Sequence, residues 1–175
     1  NCTQWKLRYP VDIPEYSFGP EINIYTFVSR IAALAPNEAV FISDAGSAYY
    51  AVSQGIKLTK NGQRYVTSGA MATMGYTLPA AIGASFSSGK DTQILAITGD
   101  GSLQQNIQEL QVIAQFQLPV KIFILNNSGY LSIKTSQKNY FNSREFAAGP
   151  DSGLTFPDTL KIAEAYGISA KRVEN

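Results

Sequence analysis

The chain has 175 residues, 45% of them hydrophobic, with 14 lysines and arginines against 13 acids. That is the size of one domain with enough apolar content for a core, and the near-neutral balance offers neither a basic stripe for nucleic acid nor an acidic tail. Histidine is absent and Cys2 is the one cysteine, which removes internal disulfides, histidine-based nucleophiles and zinc-type clusters, so a bound metal must take oxygen ligands and be magnesium or calcium.

No apolar run reaches the roughly 20 residues of a membrane span. The start, NCTQWKLRYP, lacks both the apolar centre of a signal peptide and an initiator methionine, and a piece of a longer protein is expected. Residues 1–20 hold three prolines and read as an extended arm or linker, with the domain proper over 21–175. Ile24, Phe27, Val28, Ile31 and Leu34 then recur at helical spacing until Pro36. Residues 39–43 form a short strand, followed by the turn Asp44-Ala45-Gly46-Ser47 and a short helix to Gln54. A polar stretch with a brief strand at Tyr65-Val66 leads to SGAMATMGYTLPAAIGASFSS (68–88), whose small residues predict a helix over 74–87 that packs close to a neighbour. Residues 93–98 predict a strand running into Gly99-Asp100-Gly101-Ser102. Ser102 reads as a helix N-cap with Gln105 completing a capping box, and that helix continues through Leu110, Val112, Ile113 and Phe116. PVKIFIL (119–125) is another apolar strand, ended by Asn126-Asn127-Ser128-Gly129-Tyr130. A polar loop of some 25 residues follows, then a helix over 157–166 and a last strand over 168–173.

Strands apolar on both faces, alternating with helices, predict a doubly wound α/β fold: a mostly parallel sheet with helices on both sides. Ligands in such sheets bind beyond the carboxyl ends of the strands, and three of those ends carry small or polar turns, DAGS, GDGS and NNSG. The dinucleotide pattern GxGxxG and the phosphate-loop lysine motif are both absent. What remains is a pair, Asp100 after one strand and Asn127 after the next, which one right-handed crossover sets side by side. A carboxylate and an amide oxygen facing one pocket, beside the free N–H groups of a helix start, suit a magnesium–diphosphate. The flanking glycines would let the main chain approach the phosphates.

GDGS followed at this distance by NN resembles the diphosphate and metal motif of thiamine diphosphate-dependent enzymes, and SGAMATMGYTLPAAIGA is similar to the matching stretch of their acetolactate synthase-like branch. The resemblance covers residues 22–170 and implies the C-terminal, pyrophosphate-binding domain of such an enzyme. It implies thiamine diphosphate and Mg2+ as cofactors, with Asp100, Asn127 and the Gly129 backbone oxygen on the metal. Gly46, Ser47, Gly101, Ser102, Tyr130 and Leu131 would lie at the diphosphate, with Asn127 and Gly129 beside them. Thr73 and Met74 would lie at the cofactor rings, Met74 as the wedge that bends the cofactor so that it removes its own proton. The implied chemistry is decarboxylation of a 2-keto acid or its carboligation to an acceptor. The glutamate that protonates the pyrimidine ring in this family lies in another domain, and neither Glu38 nor Glu109 matches it, so this chain alone is expected to be inactive. The implied partners are a small-molecule 2-keto acid and a pyrimidine-binding domain of the same or a partner subunit. A homodimer or tetramer in the cytoplasm is expected, with no nucleic acid and no membrane. Ala48 stands where acetolactate synthases carry a histidine at the diphosphate, and Ser136 where they carry a tryptophan implicated in choosing the second keto acid, which leaves the particular reaction open.

Plainer readings stand beside these. Asp100 beside glycine can cap a helix, Asn126-Asn127 can be turn chemistry, and Gly46-Ser47 can be a helix start. Met74 can be core, and Tyr49, Tyr50 and Tyr130 can line a substrate channel or a subunit interface. At the level of the whole chain, the alternatives are a separately encoded subunit of a two-chain decarboxylase, a non-catalytic cofactor-binding domain, and an oxidase or hydrolase on the same scaffold.

Overall fold

The computed structural model describes residues 1–174. Three largely apolar segments and one polar edge segment build its sheet: β1 (Val40–Ser43), β3 (Ile94–Gly99) and β4 (Val120–Leu125), with β2 (Arg64–Thr67) at the edge. Their order is β2-β1-β3-β4 and every neighbouring pair is parallel. Val40 pairs with both Arg64 and Ile94, and Ile94 with Val120, so the four carboxyl ends finish on one edge. The helices are α1 (Cys2–Arg8), α2 (Ile24–Leu34), α3 (Gly46–Gly55), α4 (Thr77–Ser88), α5 (Asp100–Leu103), α6 (Glu109–Gln115), α7 (Leu131–Tyr140) and α8 (Thr159–Ala165).

Strand side chains alternate between the two faces, as the pleat requires. Phe41 and Leu95 pack with Ala32 of α2, and Ile97 packs with Val28, Ala48 and Val52 of α2 and α3. Val40, Ile42, Ile94 and Ala96 face the other way, onto Ala81 of α4. On that side Leu78, Leu103, Leu110 and Ile113 join a second cluster, against which Ile122 of β4 and Ile162 of α8 pack. Helices therefore cover both faces, and the fold is doubly wound α/β. No helix among the described residues is long and apolar enough to cross a membrane.

The small residues of α4 do different jobs. Ala81 is fully buried against the sheet, and Ser85 is buried with its hydroxyl donating to the Ala81 carbonyl at 2.8 Å. Gly83 faces outward, where an added Cβ would meet nothing within 4 Å. Close packing thus depends on Ala81.

Four local expectations fail, each for a physical reason. Residues 1–20 are not extended throughout: Asn1 caps α1 through its side chain, which accepts from Thr3 N–H, and residues Pro14–Ser17 form a 3-10 turn, though none of these residues is buried. Ser102 is not a cap, since the helical turn starts at Asp100 with extended Gly99 before it, and the run breaks through a 3-10 turn (Gln104–Asn106) before α6. The polar loop contains α7, whose sequence LSIKTSQKNY has no apolar face and buries no residue. Its support comes from Gln137, which both donates to the Phe146 carbonyl and accepts from the Phe146 N–H. Finally, residues 168–173 pair with no strand. The Ile168 N–H returns to the Ala163 carbonyl at 2.8 Å, and residues 169–174 are exposed. A strand exists only through its partner, which periodicity does not supply.

Ala81→Leu is expected to destabilise the domain by about 1–3 kcal/mol through overpacking. Gly83→Ala should stabilise it by roughly 0.5–1 kcal/mol, because it adds helix propensity in open space. Urea unfolding of both variants checks the opposite signs.

Candidate functional site

The chain leaves β1 toward β2 on one side and continues from β3 to β4 on the other, so the order reverses between β1 and β3. Such a switch point opens a crevice at the strand ends. Both strands that flank it run directly into an aspartate. Asp44 follows β1 and is 1% exposed; Asp100 follows β3 and is 3% exposed.

The two carboxylates are used differently. Asp44 Oδ1 accepts from the N–H groups of Ala45 and Gly75, both at 2.9 Å. Its Oδ2 accepts from Thr77 N–H at 3.2 Å and from the Thr98 hydroxyl at 3.1 Å. A carboxylate offers about four acceptor positions, and Asp44 fills all of them with the protein. Asp100 fills two: Oδ1 accepts from Gly101 N–H at 2.9 Å and Oδ2 from Gly129 N–H at 3.2 Å. Asp100 also lines a cavity of about 300 Å³ with Asn126, Ser128, Phe156, Asp158 and Arg172, on a side of the turn that Asn127, Gly129 and Met74 do not line.

Asp158 caps α8, and hydrogen bonds from the N–H groups of Leu160 and then Lys161 hold its carboxyl below the usual carboxylate range. A depressed pKa means that this cap stabilises fully above the ordinary carboxylate pKa and is lost as pH falls through the lowered one.

The turn after β4 is shaped by backbone demands. Asn126 Oδ1 accepts from Ser128 N–H at 3.2 Å, which makes Asn126 the turn residue of the pair. Asn127 is half-buried, and among the described residues its side chain makes no hydrogen bond, to Asp100 or to anything else. Gly129 has φ +151°, and a Cβ there would run into the Ala148 carbonyl oxygen and stand 3.1 Å from Gly149 Cα. Tyr130 N–H donates to that same Ala148 oxygen at 2.9 Å.

Three helix starts converge on this edge, and no side chain caps any of them: α3 at Gly46, α5 at Asp100 and α7 at Leu131. Gly46 has φ +60°, and a Cβ on it would stand 3.2 Å from Ser132 Oγ of α7. Ser47 is half-buried and Ser102 is 7% exposed. A Cβ on Gly101 would lie 2.7 Å from Tyr130 Cδ1. The space that glycine clears is therefore taken by the Tyr130 ring, which also meets Phe156 edge-on at 5.4 Å. Gly99 is extended, with φ −94°, and makes no comparable demand. Leu131 is exposed.

The Thr73-Met74 segment joins the site through Gly75. Gly75 N–H is held by Asp44, and a Cβ on Gly75 would stand 3.4 Å from the Ser102 carbonyl oxygen. Met74 is 36% exposed and Thr73 is exposed. The structure thus links Asp100 with Gly129, Gly101 with Tyr130, and the Met74 segment with the Ser102 turn. Ala48 is buried in the core against Ile97. Glu109 is the first residue of α6, rather than two turns into a helix.

Sequence reasoning missed Asp44 and Asn106, whose amide donates to the Gly75 carbonyl at 2.9 Å. Asp44 had a readable signal, since an acid directly ends an apolar strand there as at Asp100. Asn106 had none. Gln104 Nε2, on the same 3-10 turn, and Thr67 Oγ1, at the end of β2, are buried without a hydrogen-bond partner among the described residues.

The family model described as "Thiamine pyrophosphate enzyme, C-terminal TPP binding domain" matches residues 44–175. Acetolactate synthase large subunits are similar along nearly the whole chain. That of Cyanidium caldarium is 36% identical over 97% of this chain, and that of Pyropia yezoensis 36% over 98%. The isozyme 1 large subunit of Escherichia coli is 31% identical over 96%. A solved thiamine diphosphate-dependent 4-hydroxybenzoylformate decarboxylase from Rhodococcus jostii superposes over 90% of this chain with a TM-score of 0.73 at 30% identity. The chain spans 28% of the length of the two algal proteins and of the Rhodococcus chain, and 29% of the Escherichia protein.

Gly101→Ala should displace the Tyr130 ring. The single variants and the double variant Gly101→Ala/Tyr130→Ala are expected to be non-additive, with a coupling of about 0.5–3 kcal/mol. Denaturant unfolding of the cycle measures it.

Proposed function

The chain belongs to the thiamine pyrophosphate enzymes, as their C-terminal cofactor-binding domain, and on that premise we propose that it anchors thiamine diphosphate through magnesium at the switch point, in an enzyme acting on 2-keto acids. The observation that carries the reading is the contrast between the two strand-end carboxylates. Asp44 is saturated by the protein, whereas Asp100, equally buried, accepts only two hydrogen bonds and keeps acceptor capacity.

Magnesium takes oxygen ligands and is held by one or two carboxylates together with substrate phosphates. No group of three or more acidic, histidine or cysteine side chains that could hold a metal gathers among the described residues. The protein ligands that fit are the Asp100 carboxylate, the uncommitted Asn127 amide oxygen and the Gly129 carbonyl. The diphosphate is suited to the three uncapped helix starts, with Gly46, Ser47, Ser102 and Leu131 as the residues proposed to meet it; Gly101 and Tyr130 lie at the same edge, but their N–H groups are held by Asp100 Oδ1 and the Ala148 carbonyl. Met74, beside the saturated Asp44 network, is the side chain that supports the bend of the cofactor, with Thr73 next to it.

When bound, thiamine diphosphate supplies an electron sink for the loss of carbon dioxide from a 2-keto acid. This chain's residues bind the cation, orient the diphosphate and hold the rings. The names of the relatives span a synthase and a decarboxylase, and carboligation and decarboxylation are the two outcomes proposed. The acid that works on the pyrimidine ring, and the rest of the substrate site, belong to a further domain of the same or a partner subunit. The domain proper is placed at residues 21–175, and the working enzyme is a homo-oligomer.

In the complete enzyme, Asp100→Ala is expected to abolish magnesium-dependent binding of thiamine diphosphate in calorimetric titration. Wild-type affinity in that variant would refute the site assignment.

A further inference from the structure

Gly75 is held at both ends. Its N–H donates to Asp44 Oδ1 and its carbonyl accepts from Asn106 Nδ2, each at 2.9 Å. Its φ of +81° lies in the left-handed region, and a Cβ there would meet Gln105 Cβ at 2.7 Å. No larger residue fits without moving the 3-10 turn (Gln104–Asn106) that carries Asn106. The amide of Asn106 is itself oriented: its Oδ1 accepts from Gln108 Nε2 at 3.3 Å, which turns Nδ2 toward Gly75. A flipped amide would set its oxygen against the Gly75 carbonyl.

Two residues earlier, Thr73 N–H donates to Ser68 Oγ at 2.8 Å. Met74 thus sits between two tied residues while its side chain remains 36% exposed. Methionine is flexible about three side-chain bonds, so it presents a defined surface only from a fixed backbone. The relay Gln108–Asn106–Gly75–Asp44–Thr98 supplies that backbone from elements on both sides of the loop.

Resting on the reading of Met74 as the support under the cofactor rings, we infer that Asn106 is a positioning residue: its amide, opposite Asp44, fixes the peptide from which Met74 meets the cofactor. Asn106 is not among the residues proposed for the cation or the diphosphate, and its hydrogen bonds go to Gly75 and Gln108, so its loss should disturb ring geometry while leaving the anchor in place.

The test is Asn106→Ala in the complete enzyme, read three ways: calorimetric affinity for thiamine diphosphate with magnesium, melting temperature, and the rate at which the thiazolium C2 proton of the bound cofactor exchanges into deuterated water. Exchange is expected to slow by roughly 10-fold or more, given that a misplacement of about 1 Å can cost on the order of 100-fold, with cofactor affinity unchanged. Gln108→Ala, which frees the amide to flip, should slow exchange in the same direction and by less. Wild-type exchange in Asn106→Ala overturns the inference, and a lowered melting temperature alongside wild-type exchange assigns the residue a structural role only, which also overturns it. Failure of the unaltered enzyme to bind thiamine diphosphate overturns the functional reading beneath it, and the inference with it.

Discussion

A carboxylate taken out of water must have its charge met by donors, or folding loses several kcal/mol. Asp44 is that carboxylate. Its four hydrogen bonds reach its own turn, the Gly75 loop, the first turn of α4 and the end of β3. Because those donors come from separate segments, satisfying one side chain fixes the edge of the sheet where the site lies. The Met74 segment, the start of α4 and the β1–β3 crevice take their relative positions from it.

Asp100 solves the same problem more sparingly. One oxygen bonds the N–H of the following glycine and the other the N–H of Gly129, so β3 and the turn after β4 are joined with acceptor capacity left over. In the proposed reading, that leftover capacity on a buried carboxylate is what a cation would take up. Around it, the starts of α3 and α7 carry no side-chain caps, which leaves first-turn N–H groups able to receive an anion, whereas at α5 the Gly101 N–H is already taken by Asp100. Tyr130 covers Gly101 at this edge, and its ring together with Phe156 forms a wall beside Asp100 rather than open approach to the glycine. Of the two glycines that flank Asp100, Gly101 therefore serves the packing of Tyr130, and Gly99 is under no such demand.

How much of this could be read from the sequence divides along range. Strands β1, β3 and β4 were legible because each is a largely apolar run, β2 only as the brief Tyr65-Val66 within a polar stretch, and the Asp100–Asn127 spacing was legible because one crossover joins adjacent strands. Asp44 was seen only as part of a turn. Its partners lie 31, 33 and 54 residues away, and no local pattern encodes hydrogen bonds at those separations. Ser102 misled because a serine before a helical run usually caps it, whereas here extended Gly99 lets the turn begin two residues earlier. Helix α7 was invisible to periodicity because it buries nothing, and its support, Gln137 to Phe146, is specific to the folded loop. Residues 168–173 have strand-like composition but no partner, and composition does not provide one.

The central claim is that a cation bridges Asp100 to the diphosphate, so that the cofactor is held through metal and main chain together. The most direct measurement is calorimetric titration of thiamine diphosphate into the complete enzyme with magnesium and, in parallel, with EDTA. The account predicts saturable binding, one cofactor per domain, that disappears when the metal is removed. Equal affinity in EDTA would contradict it.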